Sequence, residues 1–393
     1  MKWSKACRIL AASMLLPLSA GCWDRLEIND LALVMATGLD EAEDGQVKLS
    51  VQIFVPKKAG NTPSVGGDQA SGGGGGGSQT IVKEATGISV ADAVSRLQTM
   101  MSRRLTWEHD EVFIFGEKRA AHGIEEDMDY LLRSRQTRER ANLFVSEGMA
   151  IDALRLNPRL ERDVAETLRE MTLLQIGPDV SMFELLRMMR SAGKSAVLPY
   201  IQKLPSQPGV NPENTVSYIT GSTVLKNGKA VGRLNMRLTR GLLWLHNETK
   251  EATLTFKLEG MPGSVALHML RSRAVLIPSI KGDRWSVRVK IDNEAVLLQN
   301  TTGGIVTDEA WVQKIERAAS QSIRSRIEET VEAGQRQFNA DIFGIADLFR
   351  KHYPKHWKEA RTNWDSVFKE IRIEINVHTH VKRPGMSNAS VPY

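Results

Sequence analysis

The sequence predicts a mixed α/β (α+β) protein of more than one domain, in which helices pack on twisted, largely antiparallel sheets. At 393 residues the chain is longer than a single hydrophobic core usually organises. Runs with strand-like patterns recur in both halves, and stretches with helical spacing lie between and after them. The proline-rich segment 201–217 predicts a linker between an N-terminal domain, 22–200, and a C-terminal domain, 218–393.

The first half begins with two strands, 31–40 and 48–55, around a polar turn. A glycine-rich stretch, 59–79, follows, and its six consecutive glycines would lose too much conformational entropy on ordering. We therefore expect a disordered loop there. The strand-like run 80–87 comes next, which places the loop inside one domain as a long hairpin connection.

Helices and strands alternate in the rest of the first half, which indicates a layered α/β domain. Ser89 is the expected N-cap of an amphipathic helix, and the following helix has its acids at the start and its arginines at the end. Two more helices make up a helical middle region, about 157–200. The predicted elements are a helix at 89–105, a strand at 110–117, a helix at 124–135, a strand at 141–148, and helices at 162–175 and 180–192.

The second half predicts a mostly antiparallel sheet with helices on one face. Asn227 and Gly228, between two apolar runs, indicate a tight hairpin. One long helix, 307–338, is expected to begin with Thr307 as its N-cap. Its apolar residues recur every four positions, so the stripe winds around the helix and needs a curved sheet to cover. Strands are predicted at 252–258, 264–280, 284–299 and 371–381, with a short helical region at 341–359.

Residues 1–21 have the three parts of a secretory signal. Three cations and no acid precede an apolar core too short to span a bilayer permanently, and small residues stand directly before Cys22. This order predicts a lipoprotein signal peptide, although Ser19 occupies the position where leucine is usual. Cys22 then becomes the first residue and carries a diacylglyceryl group on its thiol. An ordinary cleaved signal and a buried core segment are the alternatives.

Charge and cysteine content exclude several classes of protein. Cys7 and Cys22 are the two cysteines, and so close a pair at the N-terminus is no disulfide framework. The formal net charge is +6, and loss of the signal removes three cations and no acid. Both the remaining charge and the compartment argue against a nucleic-acid partner. Weak attraction to an anionic membrane surface stays open.

Two motifs suggest ligand binding, and each has a simpler structural explanation. The run 193–195, Gly-Lys-Ser, resembles the end of a phosphate-binding loop, but Met188 stands where the first loop glycine is needed. A glycine that ends a helix explains the run. His378 and His380 share one face of a predicted strand and would bind zinc only with a third ligand. A solvated strand face is the preferred interpretation.

Charged residues cluster around the helix predicted at 124–135. Its carboxylates suit the positive end of the helix dipole. The arginines that follow are interpreted as a solvated helix end, with phospholipid head groups or an acidic partner surface as the alternative. The sequence contains no nucleophile elbow, metal-ligand set or dinucleotide fingerprint, so we expect no enzyme, metal or cofactor. The residues concerned are Glu125, Glu126, Asp127, Asp129, Arg133, Arg135, Arg138 and Arg140.

Four blocks in order resemble the C-subunit lipoproteins of bacterial spore germinant receptors. The first starts at the cysteine, the second spans 109–154, the third spans 221–235 and the last spans 363–385. The resemblance therefore covers nearly all of the mature chain, although the polyglycine insertion lies outside the family pattern. The signature residues that we single out are Cys22, Trp23, Asp24, Glu27, Gly116, Glu117, Arg133, Arg140 and Trp364.

This resemblance implies a non-catalytic subunit on the outer face of the spore inner membrane, with a mixed α/β fold of three domains. It would act with two integral-membrane partners, an A-type subunit with a large soluble domain and a B-type subunit similar to amino-acid transporters, in germination triggered by nutrients. The rival hypothesis is a lipoprotein solute-binding module that captures the nutrient itself. A third, a cell-wall hydrolase, would require a pair of catalytic carboxylates in the fold.

Overall fold

The computed structural model describes residues 30–55, 80–249, 252–305 and 307–383. The signal peptide 1–21, the glycine-rich loop 59–79 and four signature residues lie outside the described residues. These four are Cys22, Trp23, Asp24 and Glu27. Helices and strands are both abundant in each half of the described chain, so the predicted mixed α/β class is confirmed. No helix in the described ranges is long and apolar enough to cross a bilayer.

A nine-stranded sheet organises the first half of the chain. Its strands are β1 (Leu31–Glu41), β2 (Val47–Phe54), β3 (Thr80–Gly87), β4 (Arg104–Thr106), β5 (Val112–Gly116), β6 (Asn142–Ser146), β7 (Ser195–Lys203), β8 (Ser217–Lys226) and β9 (Lys229–Asn235). They follow the order β3-β2-β1-β5-β6-β7-β8-β9, with β4 beside β1. Strands β1, β5, β6 and β7 run parallel in the centre, and antiparallel hairpins extend both ends.

Helices cover both faces of this sheet because its central strands are apolar on both sides. Phe113 and Phe115 point into one core, and Val112 and Ile114 point into the other. The first core lies under α1, α2, α3 and α6, and the second under α4 and α5. These helices are α1 (Val90–Thr99), α2 (Glu117–His122), α3 (Glu125–Arg133), α4 (Ala150–Leu154), α5 (Val164–Leu173) and α6 (Met182–Met189).

The first helix begins as predicted and ends early. Ser89 is its N-cap, and its hydroxyl accepts a hydrogen bond from the Asp92 amide at 3.3 Å. After Thr99 the Gln98 side chain accepts a hydrogen bond from the Leu105 amide at 2.9 Å and donates one to the Arg103 carbonyl at 3.0 Å. These bonds turn the chain, so the last predicted helical residues become β4 instead.

The first residues of the predicted C-terminal domain, 218–393, complete the first sheet. Strand β7 occupies the end of the predicted helical middle region, 157–200, and the segment 201–217 joins it to its antiparallel neighbour β8. The hairpin predicted at Asn227 and Gly228 then adds β9. Val224 of β8 nevertheless packs into the hydrophobic core of the second half. The proline-rich segment is thus a connection within one sheet, and the two halves share buried contacts.

A four-stranded sheet organises the second half, in the order β10-β11-β12-β13. Its first three strands are antiparallel and β13 runs parallel to β12. The strands are β10 (Thr253–Phe256), β11 (Val265–Lys281), β12 (Arg284–Asn300) and β13 (Arg372–Arg383). The helices of this half are α7 (Met236–His246), α8 (Glu309–Glu332), α9 (Ile345–His352), α10 (Pro354–Ala360) and α11 (Trp364–Glu370).

The long helix α8 confirms the winding apolar stripe. The stripe residues are buried against the second sheet and α7, namely Trp311, Ile315, Ala319, Ile323, Ile327 and Val331. The N-cap is Asp308 rather than the predicted Thr307, because the Asp308 carboxylate accepts a hydrogen bond from the Ala310 amide at 3.0 Å. The helix continues through a π-helical turn, Ala333–Phe338, so the predicted length is nearly right.

Candidate functional site

Polar groups meet where the parallel strands β1, β5 and β6 end, at one edge of the first sheet. Carboxyl ends of parallel strands are where α/β proteins usually place functional groups. Two predicted signature residues, Gly116 and Glu117, lie there. We call this group the strand-end cluster; its members are Asp40, Glu41, Gly116, Glu117, Arg119 and Asp127.

Gly116 is needed because a buried carboxylate occupies the space beside it. A Cβ at this position would overlap the Asp40 side chain. Asp40 in turn accepts hydrogen bonds from the amides of Ala150 at 2.6 Å and Ile151 at 3.1 Å, at the start of α4. Burial raises the pKa of Asp40, and these two hydrogen bonds partly oppose that shift. The two hydrogen bonds to Asp40 therefore hold the start of α4 against the end of β1.

Glu117 connects the ends of β6 and β9. Its amide donates to the Gly148 carbonyl at 2.9 Å, and its carboxylate lies 3.7 Å from the Arg233 guanidinium. Arg233 also lies over the Tyr200 ring, 4.6 Å from the ring centroid, and donates a hydrogen bond to the Tyr200 hydroxyl. Burial is the main reason that the pKa of Tyr200 is raised. Glu117 and Arg233 remain about half exposed, so this pair faces solvent.

Arg119 forms a buried ion network that the sequence did not reveal. Its side chain is 3% exposed and donates two hydrogen bonds to Asp127, at 2.8 and 2.9 Å, and one to Glu41 at 2.9 Å. The His122 ring also lies 3.0 Å from Glu41. Burial opposes the charge on Arg119, but its hydrogen bonds to Asp127 and Glu41 raise its pKa overall. Asp127 therefore forms a buried ion pair with Arg119, in addition to its predicted interaction with the helix dipole.

The chemistry of the strand-end cluster is that of a structural network. Asp40 and Asp127 are saturated by amides or by a guanidinium, which leaves neither free to act as a general base. Among the described residues, no three His, Cys, Asp or Glu side chains are grouped closely enough to hold a metal ion. The cluster thus positions α2, α3 and α4 around the ends of the central strands.

The remaining polar motifs lie apart from this cluster. Gly193 and Lys194 form a turn between α6 and β7, whereas a phosphate-binding loop leads from a strand into a helix. His378 and His380 are exposed on β13, where they stand opposite Asp292 and Glu294 of β12. A histidine pair on a solvated strand face agrees with the preferred sequence interpretation.

The signature arginines are exposed on the surface of the first half. Arg133 pairs with Asp129 one turn earlier on α3, at 2.9 Å. Arg140 lies in the turn that precedes β6. No contact among the described residues joins either side chain to the strand-end cluster. Both arginines are therefore exposed cations on the surface of the first half.

Trp364, by contrast, is 5% exposed at the start of α11. It packs edge-on against Trp357, with ring centroids 4.8 Å apart, and against Trp285 at 6.1 Å. Phe349 and Phe368 complete the cluster at 6.3 and 6.2 Å. The indole N–H finds no hydrogen-bond partner within the described ranges. Trp364 thus joins three helices to the end of the second sheet.

Asp110 is a buried acid two positions before β5. The Thr37 hydroxyl donates a 2.5 Å hydrogen bond to it, and the Trp107 indole donates to Thr37 at 3.2 Å. Burial raises the pKa of Asp110 to about 8, and the hydrogen bonds from Thr37 and Val112 limit the rise. The carboxyl is therefore largely protonated in the folded protein at neutral pH.

Stability is expected to fall as the pH rises from about 5 to 8, because folded Asp110 retains a proton that the unfolded chain has released. This stabilising contribution is complete below the unfolded pKa and is lost as the pH passes the folded value. Asp110→Asn should flatten the dependence of the unfolding free energy on pH, measured by urea denaturation. Asp341, whose pKa burial raises to about 6, accounts for part of the remaining slope.

Asp283→Asn, in the exposed turn between β11 and β12, is the control and should leave the pH dependence unchanged. Equal slopes for Asp110→Asn and the unmodified chain would contradict the expectation. A steeper slope would do so as well.

Comparison with known proteins places both halves of the chain in one family. A model described as the spore germination protein N-terminal domain matches residues 24–203. A second, described as spore germination B3/GerAC like, C-terminal, matches residues 220–385. The predicted resemblance is thereby confirmed over both halves.

Individual relatives span nearly the full chain. The putative spore germination protein YfkR of Bacillus subtilis (strain 168) is 25% identical over 358 residues, 91% of each chain. Spore germination protein KC of the same organism is 25% identical and covers 98% of both chains. Spore germination protein A3, also from that organism, is 22% identical over 98% of this chain and 99% of its own.

A solved structure shares the fold. The crystal structure of the GerBC protein superposes with a TM-score of 0.58, at 16% identity, and covers 88% of this chain and 97% of its own. Similarity at that identity establishes the architecture alone. Because the two family models together match most of the sequence, the chain belongs to the spore germination protein family of germinant-receptor C subunits and has a role in spore germination.

Proposed function

We propose that this protein is a non-catalytic, lipid-anchored subunit of a nutrient germinant receptor on the outer face of the spore inner membrane. The observation that carries the proposal is Cys22, which follows a signal sequence and small residues. The N-terminal family model starts at residue 24, two positions after this cysteine. A mature chain that begins at Cys22 would thus consist almost wholly of the two family domains.

A diacylglyceryl group on Cys22 would be a sufficient anchor. Each buried CH₂ contributes about 0.8 kcal/mol, so one acyl chain binds a membrane marginally whereas two chains hold stably. Strand β1 begins at Leu31, only nine positions after Cys22. The first sheet would therefore lie near the membrane surface, within reach of integral-membrane partners.

We assign the signature residues to two kinds of role. Gly116 and Trp364 support the fold, since one borders a buried carboxylate and the other fills an aromatic core. Arg133 and Arg140 are exposed cations and suit contacts with the A-type and B-type membrane subunits or with lipid head groups. The proposed mechanism is assembly through protein–protein contact, with no bond made or broken by this chain.

Replacing Cys22 with alanine is expected to release the protein from the membrane and to abolish nutrient-triggered germination, because the thiol that carries the lipid is lost. Spore inner membranes would be isolated and the protein measured by immunoblot in the membrane and soluble fractions. Germination would be scored nutrient by nutrient in the same strains.

Cys7→Ala is a matched control, since Cys7 lies within the segment that cleavage would remove. This variant should behave as the unmodified protein does. Retention of the Cys22→Ala protein in the membrane, together with normal germination, would refute the anchoring proposal.

One cleft favours the rival function, direct capture of the nutrient. It has a volume of about 1150 Å³ at the β11–β12 turn and is lined by Trp285, Arg284 and Glu370 among others. An aromatic face with charges of both signs suits a small zwitterion or a sugar. Calorimetry of residues 23–393 with amino acids and sugars distinguishes the two functions: saturable binding supports the rival, and no binding supports a contact subunit.

A further inference from the structure

Among the described residues, one edge of the second sheet has no neighbouring strand. β13 pairs with β12 along one side, and its 12 residues are long for an edge strand. Two other edge strands of the described chain are protected. β10 has four residues, and β9 is covered at its hairpin, where the Ile124 amide donates to the Gly228 carbonyl at 3.0 Å. Long, unprotected edges are typical sites for pairing with another chain.

The hydrogen bonds of β13 show which backbone groups face the free edge. The Val381 amide donates to the Glu316 carboxylate of α8 at 2.8 Å, so Val381 faces away from β12. The side-chain amide of Asn293 on β12 donates a hydrogen bond to the His378 carbonyl at 3.4 Å, so this carbonyl faces inward. In a strand paired in parallel, the amide and the carbonyl of one residue face the same side of the strand, and successive residues face opposite sides. The amides and carbonyls of Val377 and Thr379 are therefore directed to the free edge.

A groove lies between this edge and α8. Its volume is about 650 Å³, and its strand side is formed by residues 375–380. A strand rises about 3.3 Å per residue, so the six positions present an edge of about 20 Å. That length suits an added segment of five or six residues. The opposite wall is formed by one face of α8, with Gln313, Arg317, Ser320 and Arg324.

The charge of the groove is positive on its helical wall. Arg317 and Arg324 are exposed there, and Arg324 forms an ion pair with Glu328 at 2.7 Å. The Glu316 carboxylate, the acid on this wall, already accepts a hydrogen bond from the Val381 amide. Arg317 makes no ion pair among the described residues; its guanidinium donates to the Gln313 carbonyl at 3.2 Å. An acidic segment would therefore satisfy Arg317 without displacing an existing partner.

Two undescribed segments of this chain do not fit that charge. The segment 56–79 carries Lys57 and Lys58 against the single acid Asp68, and residues 384–393 contain no acid. The positive wall favours an acidic segment of another protein over a second copy of β13, whose exposed ends carry cations, Arg372 and Lys382.

We propose that the free edge of β13 and the facing wall of α8 bind an extended acidic segment of a partner protein by β-strand addition. Backbone hydrogen bonds to Val377 and Thr379 would provide affinity, and Arg317 would select acidic side chains. The proposal deepens the role of a receptor subunit and depends on it, since it names the surface and the chemistry of one protein contact.

The test uses the purified chain, residues 23–393, and a capped peptide of alternating valine and glutamate, with an alternating valine–lysine peptide as the sign-reversed probe. We expect saturable binding of the acidic peptide and none of the basic one. Hydrogen exchange at Val377 and Thr379 should slow in the complex. Arg317→Glu should weaken binding at least about tenfold, because it places like charges in the groove.

Arg336→Glu is the matched control, since Arg336 is an exposed arginine on the continuation of the same helix. It should bind the peptide as the unmodified chain does. Val377→Pro removes an outward amide and leaves the bonds to β12 intact, so it should abolish peptide binding while circular dichroism stays unchanged. If this variant unfolds, the effect of Arg317→Glu on peptide binding still tests the proposal.

Three results would overturn the proposal: no binding of the acidic peptide, equal binding of both peptides, or no effect of Arg317→Glu. A concentration-dependent dimer that Arg317→Glu or Val377→Pro abolishes would assign the edge to a second copy instead. Each result is independent of the Cys22→Ala measurements in spores. The edge proposal and the anchored-subunit proposal therefore fail separately.

Discussion

Replacement of Arg119 by methionine is expected to destabilise the protein by about 3–5 kcal/mol, which is the usual cost of removing one partner from a buried ion pair. The substitution leaves the Asp127 carboxylate, which is fully buried, without the two hydrogen bonds at 2.8 and 2.9 Å that hold it. Glu41 retains His122 as a neighbour at 3.0 Å, so most of the loss arises at Asp127. Urea denaturation followed by circular dichroism measures the effect.

Two further variants make this expectation specific. Arg133→Met removes an exposed pair with Asp129 on α3, which solvent screens, so it should cost far less than Arg119→Met. The double variant Arg119→Met with Asp127→Leu removes both buried charges, so it should be more stable than Arg119→Met alone. Equal costs for Arg119→Met and Arg133→Met would show that the buried network does not stabilise the fold.

Replacement of Trp364 by alanine is expected to cost about 3–5 kcal/mol, the range typical of a large aromatic side chain removed from a core. The indole contacts Trp357, Trp285, Phe349 and Phe368, which belong to four different elements. Neighbouring rings are too rigid to fill the resulting cavity, so the contacts are lost outright. The unfolding transition of the second half, followed by tryptophan fluorescence, reports the loss.

Trp364→Phe separates ring packing from the polar end of the indole. The Trp364 N–H has no hydrogen-bond partner among the described residues, so phenylalanine loses apolar volume and no hydrogen bond. We expect it to be clearly more stable than the alanine variant. A cost below about 1 kcal/mol for Trp364→Ala would contradict the role of this residue as a core element, since exposed positions typically show changes that small.

Short-range patterns predicted most of the secondary structure. The cap at Ser89, the hairpin at Asn227 and Gly228, and the stripe that contains Ile315 and Ile323 lie where the residues indicate. Helix α7 was missed, although Asn235 caps it through the Leu238 amide at 3.0 Å. An apolar run after a hairpin resembles a third strand when periodicity is judged over few residues.

The strand-end cluster was predicted in part. Gly116 and Glu117 were recognised as signature residues by family resemblance, without a physical reason for the glycine. The reason is Asp40, which lies 110 positions from the Ala150 amide that it binds. Arg119 and Glu41, 78 positions apart, were not singled out at all. A buried ion pair has the same residue types as a solvated one, so composition does not distinguish them.

The sequence by itself determined the class of the fold, the course of most elements, the family and the expectation of a lipidated Cys22. These features depend on neighbours within about one or two turns of helix or a few strand positions, where sequence distance and spatial distance agree. Only the tertiary structure decided that 201–217 connects strands of one sheet, that Asp127 is buried, and that β13 is an edge strand of the second sheet within the described chain. Each of these depends on which distant segments pack together, because burial and strand pairing are properties of contacts rather than of residue types.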